Sequence, residues 1–210
     1  MDLIGHVYYD TVFEEIYDAQ GILTLYPITN LRAQGSATRL YPSAFLGMSS
    51  YFSVFSAETI DQFEGELSYL ILNRVRVIGG GGQYVYDEAQ DAARYGGGAE
   101  LLWGVERENN LGARYHRLDR EDDNGYAEVR GYLFQRFLTD FHFAANSTTC
   151  FLDEKIYNVD TAFDGDASVG WRVLPRLDVQ ATGVYRSGPY YEADYRGLLK
   201  IAYNVERTFQ

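Results

Sequence analysis

The chain has 210 residues, 46% of them apolar, with 19 Tyr, 12 Phe and 21 Gly against 4 Pro. That is long enough for one large domain and too apolar for a disordered chain. A formal net charge of −12 argues against nucleic acid as a partner, which needs clustered Lys and Arg. The lone Cys150 excludes an internal disulfide or a multi-Cys metal site, and no run of eighteen apolar residues offers a transmembrane helix.

The first segment, "MDLIGHVYYD", lacks the basic and apolar regions of a signal peptide. A chain of this kind either stays in the cytoplasm or is a mature form whose leader has been removed. "DTVFEEIYDAQ" reads as a short helix, a plug or part of a strand, so residues 1–19 admit all three readings. "GILTLYPIT" and "SATRLYP" read as strands.

From about residue 44 onward the chain divides into segments with period-2 alternation, the mark of half-buried strands. In "GAELLWGVE", Ala99, Leu101, Trp103 and Val105 oppose Glu100, Leu102, Gly104 and Glu106. In "YAEVRGYLFQRF", Ala127, Val129 and Leu133 oppose Glu128, Arg130 and Arg136. In "RLDVQATGVYR", Leu177, Val179 and Ala181 oppose Asp178, Gln180 and Arg186. The last segment sets Tyr191, Leu199, Ile201 and Tyr203 against Glu192, Asp194, Arg196 and Lys200.

The connections alternate in length. Short ones are expected near Asn73-Arg74, 107–109, 138–140 and Leu174-Pro175; longer ones are "YDEAQDAA", "DREDDNG", "FLDEKIYNVDTAFDGD" and "RSGPY". This rhythm is that of an up-and-down meander whose two ends face different surroundings.

The C-terminal stretch "GWRVLPRLDVQATGVYRSGPYYEADYRGLLKIAYNVERTF", with its tight Leu-Pro turn and alternating aromatics, resembles the closing hairpins of Gram-negative outer-membrane β-barrel proteins. Phe209 matches the terminal aromatic of that group, although Gln210 follows it. The resemblance is one of pattern over residues 44–209. It implies an all-β, antiparallel up-and-down transmembrane barrel of about 12 strands, one domain over 1–210, with short periplasmic turns and longer outer loops. It also implies a bacterial outer-membrane location, with lipid bilayer or lipopolysaccharide, and other envelope proteins, as partners.

Within such a barrel the charged faces would line the lumen and the apolar faces would meet lipid, because a charge at the lipid midplane costs about 2–4 kcal/mol. The lumen set is Glu64, Glu66, Arg94, Glu100, Glu128, Arg130, Arg136, Arg172, Asp178, Arg186, Glu192, Asp194, Arg196 and Lys200, with Arg76 beside them. The lipid set is Leu101, Trp103, Val105, Leu177, Val179, Leu199, Ile201 and Tyr203. Trp103, Trp171, Tyr191 and Tyr203 are candidates for interfacial girdles, with ordinary core packing as the competing account.

Two glycine runs, Gly79–Gly82 and Gly96–Gly98, interrupt neighbouring strands. A phosphate loop would need a following Lys-Ser or Lys-Thr, or a helix; Gln83-Tyr84-Val85-Tyr86 supplies neither. The expectation is instead a hairpin in which Tyr84 and Tyr86 lie opposite or diagonal to Gly96 and Gly97, restoring the packing glycines lack.

Catalytic chemistry has little to stand on. The histidines are His6, His116 and His142. On a strand His142 shares a face with Asn146 and Cys150 while Ser147 points away, which weakens a Ser-His hydrolase reading. "DREDDNG" lacks the full calcium-loop spacing, and a solvated acidic tip is the better account. No cofactor, metal or catalytic residue is expected. The functional expectation is a narrow channel passing ions or small polar solutes with weak cation preference. Loop carboxylates would drive that preference: Asp87, Glu88, Asp91, Glu121, Asp122, Asp123, Asp153, Glu154, Asp160, Asp164 and Asp166. The alternative is a closed barrel serving as a structural or assembly component of an envelope complex. A soluble lipocalin-like barrel would invert the two faces.

Overall fold

Among the described residues, alternation and turn chemistry produce twelve strands. The computed structural model describes residues 1–10, 15–40, 59–86, 91–120, 125–137, 140–174 and 177–203. In chain order the strands are β1 (Asp2–Asp10), β2 (Glu15–Ile28), β3 (Leu31–Leu40), β4 (Ile60–Ile71), β5 (Val75–Tyr86) and β6 (Ala92–Trp103). They continue as β7 (Asn109–Arg120), β8 (Tyr126–Phe137), β9 (Phe141–Ile156), β10 (Val159–Leu174), β11 (Leu177–Gly188) and β12 (Tyr191–Tyr203). Each is hydrogen-bonded to its sequence neighbours in the order β1 through β12. The pairings within β1–β4 and within β9–β12 are antiparallel throughout.

The chain divides into two compact units that interleave along the sequence. Unit one holds Met1–Ile71, Val77–Gly97 and His116–Tyr126; unit two holds Leu72–Arg76, Gly98–Tyr115 and Ala127–Gln210.

The N-terminal segment is strand on both sides of residues 11–14. Asp10 closes β1, and Glu15–Gln20 open β2, paired with Tyr8–Asp10 and Gln20↔His6 across the hairpin. The strand reading of residues 1–19 therefore replaces the helix and plug readings over 1–10 and 15–19. The alternation of apolar and polar residues in "EIYDAQGILTL" explains why: its period is 2, and no helical stripe emerges.

Among the described residues, short connections join β2 to β3 (29–30), β4 to β5 (72–74) and β6 to β7 (104–108). Leu72 and Asn73 both take positive φ, 48° and 57°, the left-handed pair that closes a two-residue hairpin with the right twist. Two expected loops are not loops. Residues 151–166, read as a long polar connection, belong to β9 and β10, which run on to a tight turn at Tyr157 (φ 52°) and Asn158 (φ 67°). "RSGPY" likewise shrinks to residues 189–190 between β11 and β12. The Asp-rich composition suggested solvent, and solvent-exposed hairpin extensions are what these polar residues form: Asp153, Glu154 and Asp160 are exposed on strands.

β6 ends earlier than its alternation implies. Gly104 at φ +97° and Arg107 at φ 58° turn the chain, so Val105, expected on the strand, stands in the turn and is 98% exposed. The turn is tied by the Glu106 N–H, which donates to the Glu108 carboxylate at 2.9 Å.

The glycine register also differs from expectation. A Cβ on Gly97 would come within 2.7 Å of the Ile78 carbonyl oxygen and 3.6 Å of the Gly79 Cα, and one on Gly81 within 2.9 Å of the Arg94 carbonyl. Gly79 thus lies across from Gly97 and Gly81 across from Tyr95, so Tyr84 and Tyr86 sit well beyond Gly96 and Gly97. Glycine packs on glycine here, and a Cβ on Gly80 would collide with the β4 backbone at Gly65 and Glu66. Close backbone approach is the reason for the run. The aromatic device does occur elsewhere: the Tyr132 ring occupies the space a Gly112 side chain would take.

Candidate functional site: a polar face with cross-strand charge networks

Because side chains alternate, the two faces of each unit can be followed strand by strand. In unit two, one face carries Trp171↔Val179, Val169↔Ala181, Leu177↔Tyr203, Val179↔Ile201 and Ala181↔Leu199 as direct cross-strand pairs. Leu199, Ile201 and Tyr203 are 70%, 65% and 62% exposed, and Phe141 stacks on Trp171 at 5.3 Å and 7°. The expected lipid residues Leu177, Val179, Leu199, Ile201 and Tyr203 are thus brought together on one surface. Leu101 is exposed on β6, and the Trp103 indole donates to Gln135 at 2.9 Å.

The opposite face of unit two carries Arg172↔Asp178, Gln180↔Lys200, Ser168↔Thr182, Asp164↔Arg186 and Arg186↔Asp194. Arg172 Nε lies 3.3 Å from Asp178, Arg196 2.7 Å from Asp194, and Arg186 contacts Asp164. Asn146 donates to Asp166 at 3.2 Å. Asp164 and Asp166, expected in a loop, are therefore strand residues of the polar face. On β5 and β6, Arg76 donates to Glu100 at 2.6 Å, with the Glu100 side chain only 6% exposed. Glu128 is buried, Arg130 and Arg136 are exposed, and the Arg136 N–H donates to the Asn109 side chain at 2.6 Å. Glu192 and Lys200 are exposed on β12.

Unit one holds the most connected group. The Tyr84 hydroxyl donates to Glu64 Oε1 at 2.6 Å, while Arg94 Nη1 donates to the same oxygen at 3.2 Å and to the Tyr84 hydroxyl at 3.1 Å. β4, β5 and β6 each supply one member, and Gly82 lets β5 approach Glu64 closely, since a Cβ there would meet Glu64 Cγ at 2.9 Å. Nearby in sequence, the Arg120 guanidinium lies 5.0 Å over the Tyr86 ring. Glu66 also sits on β4, on the face of Glu64. Tyr84 and Tyr86 were expected to cover glycines. Their parity with Arg76 on β5 was the available signal that they belong to the polar face.

The groups considered for catalysis are dispersed. His142 stacks on Phe134 at 5.8 Å and lies across from Gly170; Ser147 lies across from Gly165, on the other face. Cys150 is buried. Among the described residues no group of three His, Cys, Asp or Glu could hold a metal ion. The Tyr191 side chain, Asp87, Glu88, Glu121, Asp122, Asp123, Phe209 and Gln210 lie outside the described residues.

No protein-family model matches the chain, and no curated relative does. Among solved structures, a loop-L8 deletion mutant of OmpT, an outer membrane protein of Vibrio cholerae, superposes with a TM-score of 0.52 at 13% identity. The match covers 93% of this chain and 65% of that one. The fold is that of an outer-membrane β-barrel. Two further structures lie lower. They are the KdgM porin in complex with disordered oligogalacturonate (TM-score 0.47, 8% identity, 90% and 92% covered) and the NanC porin (0.46, 13%, 90% and 93%). In an outer-membrane β-barrel, alternate residues along each strand face lipid and lumen, and the chain is connected by short turns at one end. The twelve strands and the short connections found here have that form.

Proposed function

We propose that the protein is a narrow channel of the bacterial outer membrane, passing ions or small polar solutes with weak cation preference. The observation that carries the reading is the segregation of chemistry between faces. In unit one Glu64, Tyr84 and Arg94 meet in cross-strand contacts on a polar face, and in unit two Arg76 with Glu100, Arg172 with Asp178 and Asp164 with Arg186 do the same. Phe63, Leu67, Val169, Leu199, Ile201 and Tyr203 stand exposed on the other. A soluble barrel has no reason to present large apolar side chains in rows, whereas a lipid-facing wall requires them. The polar face is then the lumen and the apolar face meets the bilayer. Trp103, Trp171 and Tyr203 are girdle candidates at its edges.

Selectivity follows from the charge balance. Lumen charges that meet a partner of opposite sign largely cancel at a distance, so the net field comes from carboxylates at the ends of the strands, such as the exposed Asp91 and Glu154. These concentrate cations in their neighbourhood, and salt screens the effect. The same ion pairing favours one second reading: Arg–carboxylate bridges between neighbouring strands also fill a lumen, giving a closed barrel with a structural or assembly role. Conductance of the purified, folded protein in a planar bilayer separates the two. Discrete steps support the channel, and a tight seal supports the closed barrel.

A further inference from the structure

On the polar face of unit two, one straight row across the strands differs in kind from its neighbours. His142 on β9 lies directly opposite Gly170 on β10, Gly170 opposite Gln180 on β11, and Gln180 opposite Lys200 on β12. Phe134 on β8 extends the row on its other side, its ring stacked on that of His142 at 5.8 Å and 30°. Residues paired in this way stand about 4.8 Å apart, strand to strand. Gly170 shapes the row. A Cβ there would meet three ring atoms of His142, so the imidazole lies across the bare backbone of β10. Phe134 and His142 thus form a platform of two nearly parallel rings, each only half-buried.

The far end of the row is polar and unoccupied by partners. Among the described residues, the Gln180 amide has no hydrogen-bond partner and Lys200 no carboxylate partner. The arginines of the same face differ: Arg172 sits 3.3 Å from Asp178, Arg196 2.7 Å from Asp194, and Arg186 contacts Asp164. Lys200 therefore presents an exposed ammonium without a counter-ion. Each feature selects a chemistry. Aromatic rings prefer offset-stacked partners with centroids about 4.5–7 Å apart, so the platform favours a planar aromatic ligand. An amide N–H donates to a carboxylate oxygen, and an ammonium does so with the added strength of its charge. A ring lying over His142 and Gly170 places its substituent one strand on, over Gln180, within reach of the flexible Lys200 stem. An aliphatic acid would use the amide and the ammonium and leave the two rings without a π partner.

We infer that this row is a binding site for a small aromatic carboxylate, stacked on Phe134 and His142 and held at its carboxylate by Gln180 and Lys200. The site rests on the channel reading and deepens it, naming one class among the small polar solutes of the lumen. A single ammonium on the wall holds one anion and leaves the weak cation bias at the strand ends in place. Gly170 is a positioning residue, because any side chain there lifts the imidazole off the backbone.

The test is single-channel recording of the purified, folded chain in a planar bilayer at neutral pH, with benzoate, cyclohexanecarboxylate or benzamide in the bath. The three are similar in size. Cyclohexanecarboxylate lacks the aromatic ring and benzamide lacks the charge. Benzoate is expected to reduce the conductance at a concentration about fivefold below that needed for cyclohexanecarboxylate, the effect of a stacked ring. Lys200→Gln is expected to weaken the benzoate block about fivefold and to leave the benzamide block unchanged. Lys200 is exposed, so this variant disturbs no packing. His142→Leu is expected to erase the preference for benzoate over cyclohexanecarboxylate while the latter still blocks, an outcome that a merely structural histidine would not give. A folded chain without conductance steps defeats the channel reading and the site with it. Steps that benzoate and cyclohexanecarboxylate block alike, or a benzoate block that Lys200→Gln leaves unchanged, overturn the site and leave the channel standing.

Discussion

At the scale of single residues, the decisive contact is the sharing of Glu64 Oε1 by the Tyr84 hydroxyl and the Arg94 guanidinium. Each partner comes from a different strand, so removing one leaves the others with altered charge and not merely a gap. Glu64→Gln removes a carboxylate and leaves Arg94 uncompensated, and cation preference is expected to fall towards non-selective. Arg94→Gln does the reverse. The reversal potential under a tenfold KCl gradient reads both, and equal potentials in the two variants would remove this network from the conduction path. Glu108 offers a second residue-scale outcome. Backbone N–H groups of its own residue and of Glu106 hold its carboxyl below the usual carboxylate range. A lowered folded-state value means the ionised form is favoured in the folded turn. Its contribution is therefore complete above the ordinary carboxylate value and is lost as pH falls through the lowered one. Compared with Glu108→Gln, the unaltered protein is expected to have the higher urea midpoint at pH 7, by a margin that shrinks as pH falls towards 3. A gap undiminished at pH 3 would assign the difference to something other than ionisation.

At the scale of strands and turns, the glycines divide by what surrounds them. A side chain on Gly80 meets the backbone of Gly65 and Glu66, while nothing lies within 4 Å of a Cβ at Gly183. Gly80→Val is expected to lower the folded yield and cost about 1–3 kcal/mol by overpacking, whereas Gly183→Val is expected to fold with wild-type yield; urea titration in vesicles ranks them. On the apolar face, Leu199→Arg is expected to cost about 2–4 kcal/mol in a bilayer, and equal stability in the two forms would contradict the lipid assignment. These elements also mark where sequence was informative. Alternation alone grouped Leu177, Val179, Leu199 and Ile201 on one side and Asp178, Arg186, Asp194 and Arg196 on the other, because a period of 2 has a single register within a strand. It failed at Asp153–Asp166, where polar residues on both faces resemble a loop although they extend a hairpin. It failed again at the glycine runs. With no side chain on either strand, nothing in the sequence sets how β5 and β6 slide past one another, and so Tyr84 was paired with glycines and not with Glu64 and Arg94.

At the scale of the whole molecule, twelve strands in sequence order follow from repeated hairpins, and hairpins follow from local signals: a left-handed pair at Leu72–Asn73 and another at Tyr157–Asn158. The fold was therefore legible from residues that are close in sequence. Function depends on what the polar faces do together, and that depends on side chains far apart in the chain, beyond the reach of local pattern. A dozen strands enclose more volume than a filled eight-stranded barrel and less than a general porin of sixteen or more. In the proposed channel, where cross-strand ion pairs cross the lumen wall, passage is expected to be narrow and only weakly selective, with carboxylates such as Asp91 and Glu154 supplying the bias. The most direct test is single-channel recording of the purified, folded chain in a planar bilayer at low and at high KCl. The account predicts discrete conductance steps with a cation preference that fades as salt rises. A folded protein that inserts but gives no steps, or that selects anions at low salt, would contradict it.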